Sequence, residues 1–136
     1  MALINGHGGN YVLAKQTSRS KRTSPAPRVL RYPHRDDWIA ARHHAGMEST
    51  NSADMYGGQL ETPILLHACP ELVRCSFRTA DHQTDHRPHL LTTGLRAYTD
   101  TGIVGRPSLA TASKGRAVLD SLTVSFADHL VSRVVD

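Results

Sequence analysis

The first ten residues constrain the fold more than any other stretch of this 136-residue chain. Met1 to Ile4 are apolar and are followed at once by the pair Asn5-Gly6, a pattern that predicts a short buried strand ending in a turn. Three glycines surround His7 in this turn, and glycine loses more backbone freedom on folding than any other residue. Because such a turn loses much conformational entropy on folding, we expect a strand, loop and helix unit whose loop has a functional role.

Strand-like and helix-like segments alternate along the chain, which favours a layered α/β fold and a single domain over residues 1–136. A second short strand is predicted at residues 28–32, where Pro33 ends it. Apolar residues at steps of three and four share one face of a last helix, namely Leu119, Leu122, Phe126, Leu130 and Val134. The predicted helices start at residues 11–15, run from Asp36 or Asp37 to Gly46, span residues 60–69, and begin between Ser108 and Ser113.

The formal net charge of +4 comes largely from a basic stretch between Lys15 and Arg35, in which residues 15–27 are predicted to form an exposed loop. A basic patch raises nucleic-acid binding as a function class, because phosphate contacts give affinity without sequence recognition. This stretch matches no recognition module and offers only Tyr32 for stacking, so nucleic acid is not the expected partner. A non-catalytic module that contacts nucleic acid or another anionic partner through this loop is the alternative to an enzyme.

The two cysteines, Cys69 and Cys75, are too few for a disulfide scaffold and are expected as reduced thiols in the cytoplasm. Neither of them lies in a recognisable protease arrangement, so nucleophilic catalysis has no support from the sequence. No apolar run approaches the roughly 20 residues that cross a bilayer, so a membrane is not an expected partner.

The glycine turn is the first candidate site. It lacks the lysine of a phosphate loop and does not fit the dinucleotide-binding pattern. At the carboxyl end of a strand, His7 would project its imidazole into the crevice where α/β sheets place ligands, which suggests metal binding. A tight turn with an incidental histidine is the alternative. Glu61 is a second candidate ligand, although a carboxylate in the first turn of a helix also stabilises the helix dipole.

A histidine-rich stretch is a third candidate. His82 and His86 are four residues apart, and together with His89 they could hold zinc if the segment were helical. The stretch lacks the glutamate of the H-E-x-x-H motif, and Pro88 interrupts a helix, so a polar surface loop is the simpler interpretation.

Three blocks carry a resemblance that covers nearly the whole chain. They are NGHGGNYV at residues 5–12, YGGQLETPILLHACPELVR at residues 56–74 and TGIVGRPSLATASKGRAVLDSL at residues 101–122. In this order they resemble the creatininase family of metal-dependent amidohydrolases, which hydrolyse C–N bonds in amides or cyclic amides. The resemblance implies a small-molecule amide substrate and a homo-oligomer for the complete enzyme.

The resemblance also implies roles for individual residues. His7 corresponds to a histidine that binds one ion of a two-metal centre of zinc or manganese, and Glu61 is similar to a glutamate that completes the shell. The glycines that would shape the substrate pocket are Gly8, Gly9, Gly57 and Gly58. Tyr56 stands where the family usually has histidine, and Pro63 where it usually has serine. Because tyrosine is far less basic than histidine, proton transfer at that position is expected to be compromised.

One family segment has no counterpart in these 136 residues. Family members carry an amino-terminal half with an E-x-H motif and a downstream aspartate, which supply most of the metal ligands. The chain is therefore expected to be a partial creatininase-like fold, a mainly parallel sheet flanked by helices with the amino-terminal half missing. Since His7 and Glu61 are too few ligands for two ions, the chain alone is expected to be impaired or inactive.

Overall fold

The computed structural model describes residues 1–7, 10, 13 and 29–134, with side chains described as far as Val131. Gly8, Gly9, the basic loop at residues 15–27 and the helix predicted to start at residues 11–15 therefore lie outside the described residues, apart from Leu13. Contacts group the chain into two compact units, the first formed by residues 1–40 and 122–136 and the second by residues 41–121. The expectation of a single domain over the whole chain stays a prediction.

The first unit contains a two-stranded parallel sheet. Strand β1 (Ala2–Ile4) pairs with strand β2 (Leu30–Tyr32), and Ile4 lies opposite Tyr32 in the register. The Asn5 amide extends the pairing by donating to the Tyr32 carbonyl oxygen at 2.7 Å. Both predicted strands are confirmed, and so is the α/β class, because helices accompany this parallel sheet.

Parts of two helices belong to the first unit. Helix α1 (Arg35–His44) confirms the helix predicted from the capping residue Asp36 or Asp37. It follows a cis peptide bond between Tyr32 and Pro33. The long carboxyl-terminal helix runs from Ala112 to Val134 and is called α4 below. Its apolar stripe is confirmed at Leu122, which is buried, but Leu130 remains 43% exposed.

The second unit is held together by short helices and two isolated bridges. The prediction of a helix at residues 60–69 is confirmed by α2 (Glu61–Ala68), which has Pro63 in its first turn and Pro70 just beyond its end. A four-residue helix α3 was not predicted, and neither were four 3-10 segments. These elements span Leu90–Thr93 for α3, then Pro70–Leu72, Cys75–Thr79, Leu95–Ala97 and Pro107–Leu109. Segments of three to five residues are too short to show a helical period in sequence.

The core of the second unit centres on Val104 and Val118, whose exposure is 0%. Val104 pairs with Tyr56 in an antiparallel bridge, and Gly105 pairs with His82 in a second one. The first bridge joins the second and third sequence blocks, so the turn between Tyr56 and Glu61 begins beside Val104. The second bridge joins the third block to His82. Among the described residues, no helix combines the length and the apolar character needed to cross a membrane.

Candidate functional site

The turn that carries His7 is closed by its two asparagines. The Asn5 side chain accepts a bond from the His7 amide and donates to the His7 carbonyl oxygen, at 3.4 and 3.0 Å. The Asn10 side chain donates to Asn5 Oδ1 at 3.0 Å, and the Asn10 amide donates to the His7 carbonyl at 3.2 Å. His7 itself is exposed. These hydrogen bonds link Asn5, His7 and Asn10, and they give both asparagines a structural role.

A buried aspartate organises the second candidate turn. Asp54 is 7% exposed, and its two carboxylate oxygens accept bonds from the amides of Gln59 and Leu60, just before α2 begins. The Arg42 guanidinium lies 2.9 Å from Asp54 Oδ2, and the exposed fraction of both side chains is below 10%. The buried ion pair therefore holds residues 54–60 in one conformation.

Gln59 links this turn to the segment that follows α1. Its side chain is fully buried, and its Oε1 accepts bonds from the amides of Glu48 and Ser49 at 3.1 and 3.0 Å. Arg42 donates from Nη2 to the Ser49 carbonyl oxygen at 2.7 Å. The side chains of Arg42 and Gln59 thus hydrogen-bond the backbone at residues 48–49.

Glu61 folds back onto the turn that precedes it. Gly57 has a φ of 59°, a left-handed conformation that glycine adopts without strain, and its amide donates to Glu61 Oε2 at 2.6 Å. The Thr62 hydroxyl donates to the Gly57 carbonyl oxygen at 2.9 Å. Tyr56 is half-buried, with its backbone paired to Val104. Tyr56, Gly57 and Glu61 are therefore parts of one rigid turn at the start of α2.

Gly58 has a packing role in the same turn. A Cβ atom built on Gly58 would lie 2.9 Å from the Cα atom of Gly105 and 1.8 Å from Asp54 Oδ1. A Cβ atom on Gly105 would lie 2.7 Å from the Cα atom of Gly58. The two backbones touch, with the Asp54 carboxylate against both, so neither position has space for a side chain.

A cluster of three potential metal ligands lies in the first unit. Among the described residues, three donors from His, Cys, Asp or Glu come within 4.8 Å of one another at one place, formed by His34, Asp37 and His129. His129 Nε2 lies 3.1 Å from Asp37 Oδ1, and His34 Nδ1 lies 3.9 Å from Asp37 Oδ2. The two imidazole rings are perpendicular, with their centroids 5.0 Å apart.

Asp37 is the fixed centre of this cluster. Its carboxylate accepts bonds from the His34 amide at 2.7 Å and from the Ser125 hydroxyl. The bond to the amide of the residue before α1 is one half of a capping box. Burial alone would raise the pKa of Asp37, but the bonds from Ser125, His34 and His129, with the charge of His129, hold it below its ordinary value.

Tyr32 packs beside the cluster. Its ring centroid lies 5.5 Å from that of His129 and 5.0 Å from that of Phe126, and its hydroxyl donates to the Leu122 carbonyl oxygen. Burial raises the pKa of Tyr32, so the hydroxyl stays protonated and serves as a donor. These contacts fix the His129 ring from one side.

The third histidine stretch does not form a metal cluster in the described part of the chain. The donor atoms of His82, His86 and His89 do not lie within 4.8 Å of one another as a group of three. The His82 ring is hydrogen-bonded to the Tyr98 carbonyl oxygen at 2.7 Å. The segment is extended around His82, which pairs with Gly105, so the helical spacing that would align these histidines does not form.

The predicted site residues fall in both units. His7 belongs to the first unit, and Tyr56, Gly57, Gly58 and Glu61 belong to the second. The structure brings the latter four together in one turn. A joint metal site of His7 and Glu61 stays a prediction.

The glycine turn at residues 5–10, the turn at residues 56–61 and the order of the three blocks indicate one class of protein. A family profile described as creatinine amidohydrolase matches residues 1–130. The chain belongs to the creatininase family. Among curated proteins, it is 32% identical to the mycofactocin precursor peptide peptidase of Mycobacterium ulcerans (strain Agy99), over 98% of this chain and 47% of the relative. The protein of the same name from Mycolicibacterium smegmatis is 28% identical over 96% of this chain and 48% of the relative.

The chain spans about half the length of the curated relatives it matches. A search of solved structures gives no significant match.

Sequence reasoning missed the residues that organise both regions. The sequence indicates Asp37 only as a helix cap, and His34 and His129 are too far apart in sequence for any spacing rule to join them. Asp54 had a usable signal, since an aspartate shortly before a glycine pair often accepts backbone bonds in a turn. No signal in the sequence indicated the ion pair between Asp54 and Arg42.

Proposed function

We propose that this chain supplies part of the active site of a metal-dependent hydrolase that cleaves the C–N bond of an amide, with a peptide as the substrate class. Its membership of the creatininase family over residues 1–130 carries the proposal. The peptide class is supported by relatives named peptidases, one of which is 32% identical over 98% of this chain. The chain spans about half the length of those relatives, so the hydrolysis reaction is proposed for the whole enzyme.

The ligands available for a divalent cation in the family blocks are His7 and Glu61. An imidazole and a carboxylate are ligands that zinc and manganese accept, and the His7 side chain is exposed. A catalytic zinc ion takes about three protein ligands, so His7 and Glu61 would supply only part of a ligand set. When bound, the cation polarises an amide carbonyl and lowers the pKa of water. The remaining ligands must come from outside these two blocks, which is why the chain alone should be nearly inactive.

The chain's own residues would orient the substrate and manage the proton. The bond from the Gly57 amide fixes the Glu61 carboxylate, so that its direction is set before a cation binds. Tyr56 occupies the position of the usual histidine, at the rigid turn that leads into α2. A phenol is a poor base at neutral pH, so Tyr56 can hold a proton on its hydroxyl but accepts one poorly.

A chimera tests the proposed function. The portion of the Mycobacterium ulcerans peptidase that lies outside the match would be fused to this chain, and peptide hydrolysis would be followed by mass spectrometry with Zn²⁺ or Mn²⁺. We expect little turnover from the chain alone and chelator-sensitive turnover from the chimera, reduced at least about 100-fold by His7→Ala or Glu61→Gln. His86→Ala, at an exposed histidine, is the matched control. A folded chimera without turnover, or one indifferent to His7→Ala, would contradict the proposal.

The Tyr56→His variant of the chimera should be faster than its parent. A histidine restores a base that titrates near neutral pH, and general-base catalysis contributes about 10²–10⁴-fold when fully effective, so we expect a gain of about 10-fold or more in kcat. Tyr56→Phe should show no gain. The dependence of kcat on pH shows whether the gain comes from the new base, because the gain should disappear below the pKa of the introduced imidazole. An equal rate in all three proteins would remove Tyr56 from the reaction.

The resemblance also suggests a homo-oligomer for the complete enzyme, and light scattering of the chimera measures this directly.

A further inference from the structure

We propose that His34, Asp37 and His129 form a mononuclear site for a late first-row divalent cation such as zinc, separate from the cation bound through His7 and Glu61. Nothing in the three family blocks includes these residues. The inference is therefore independent of the proposed hydrolase function and rests on the geometry of the first unit.

The distances within the cluster suit a metal ion. One donor atom from each side chain lies within 4.8 Å of the others. His129 Nε2 lies 3.1 Å from Oδ1 of Asp37, and His34 Nδ1 lies 3.9 Å from Oδ2. Ligands on a tetrahedral zinc ion, at bond lengths of about 2.0–2.1 Å, are separated by about 3.3 Å. The separation of His129 Nε2 from Asp37 Oδ1 lies close to that value. His34 is more exposed than either partner, with 44% of its side chain accessible.

The donor set selects the class of cation. Two imidazole nitrogens and one carboxylate suit zinc, cobalt, nickel or iron, whereas magnesium and calcium prefer sites made of oxygen alone. Three protein ligands leave further positions for solvent or another molecule. The exposed side of His34 provides the route of entry.

The surroundings resemble the support that metal ligands usually have. Asp37 is 10% exposed and receives bonds from the Ser125 hydroxyl and the His34 amide, which set the direction of the carboxylate. Tyr32 packs against the His129 ring. In the structure, the ring of His129 contacts Asp37 directly, and a cation would take the place of the proton between Nε2 and Oδ1. Binding would link the start of α1 to α4.

Metal titration in a background without the first site tests the proposal. The full chain carrying His7→Ala and Glu61→Gln would be titrated with Zn²⁺ against a chromophoric chelator. We expect one equivalent to bind, with affinity reduced at least about 100-fold by His34→Ala or His129→Ala and about 10-fold by Ser125→Ala, since losses of about 10–100-fold follow removal of a group behind a ligand. His86→Ala should leave the affinity unchanged, and Mg²⁺ should not compete.

Two measurements protect the test against misfolding. His129→Ala removes a ring that packs on Tyr32, so circular dichroism must first show that this variant is folded. In the chain without ligand substitutions at the cluster, Co²⁺ should shift and broaden the ring proton signals of His34 and His129 in NMR spectra, which needs no variant. Zinc bound equally by His34→Ala, loss of binding in His86→Ala, or an absence of binding by the folded background protein would overturn the proposal. None of these results depends on hydrolysis.

Discussion

Replacing Asp54 by alanine should lower the free energy of unfolding by about 3–5 kcal/mol, because it leaves the Arg42 guanidinium buried without its partner. The same change removes the acceptors of the Gln59 and Leu60 amides, one of which is buried. A loss of this size is a large fraction of the roughly 5–15 kcal/mol by which domains are stable. Urea denaturation followed by circular dichroism measures it.

Asp81→Ala is a matched control in the same unit. Its carboxylate also accepts two bonds, from the amide and hydroxyl of Ser108, but the side chain is 35% exposed and Arg106 lies 3.8 Å away at the surface. We expect a loss of about 1 kcal/mol there. A double variant, Asp54→Leu with Arg42→Leu, should recover part of the loss, because neither charge is then buried alone. Equal losses for Asp54→Ala and Asp81→Ala would show that the ion pair does not stabilise the turn.

Asp54 also bears on the proposed active site. It fixes the residues between Tyr56 and Glu61 from beneath, through the amides of Gln59 and Leu60. The turn that resemblance assigns to the site is thus built on a buried charge that lies outside the quoted blocks. Local sequence predicted the turn and the start of α2, because glycine, proline and acidic residues act over a few positions.

Long-range pairs explain what the sequence could not predict. Strands β1 and β2 follow from two short apolar segments, and α1 and α2 follow from their caps and prolines, all of which are local signals. The parallel pairing of the two strands is a long-range contact that these signals do not show. The bond between Ser125 and Asp37 and the ion pair between Arg42 and Asp54 join residues that no period connects. The stripe on α4 was wrong at Leu130 and missed Val118, which is fully buried one turn beyond Gly115. A regular period assumes that one face of the helix is buried along its whole length. In α4 the buried positions instead depend on which segments pack against each part of the helix.

The glycines of the third block gain a physical meaning from these contacts. Gly105 allows the backbone at Gly58 to approach, and Gly115 allows α4 to approach the first turn of α2. Both serve the segment that carries Tyr56 and Glu61. The third block therefore supports the second block sterically, which is one reason why the two occur together.

Replacing Gly115 by alanine should destabilise the protein by about 3 kcal/mol or more, although glycine to alanine within a helix normally stabilises by about 0.5–1 kcal/mol. The added Cβ atom would lie 1.9 Å from the Pro63 carbonyl oxygen and 2.8 Å from the Ile64 amide nitrogen. Both are backbone atoms, and Pro63 is fully buried, so the clash cannot be relieved by rotating a side chain. The two helices must separate.

Arg116→Ala, at the next position of α4, is the control for the Gly115 variant. Arg116 is 71% exposed, and its ion pair with Asp120, at 3.6 Å, lies at the surface, so its loss should change the free energy of unfolding by less than about 1 kcal/mol. In the chimera described above, Gly115→Ala should also weaken cation binding through Glu61, because Glu61 begins the helix that is displaced. If Gly115→Ala instead raised the urea midpoint, as helix propensity alone predicts, α4 and α2 would not be in contact and the steric role of the third block would be lost.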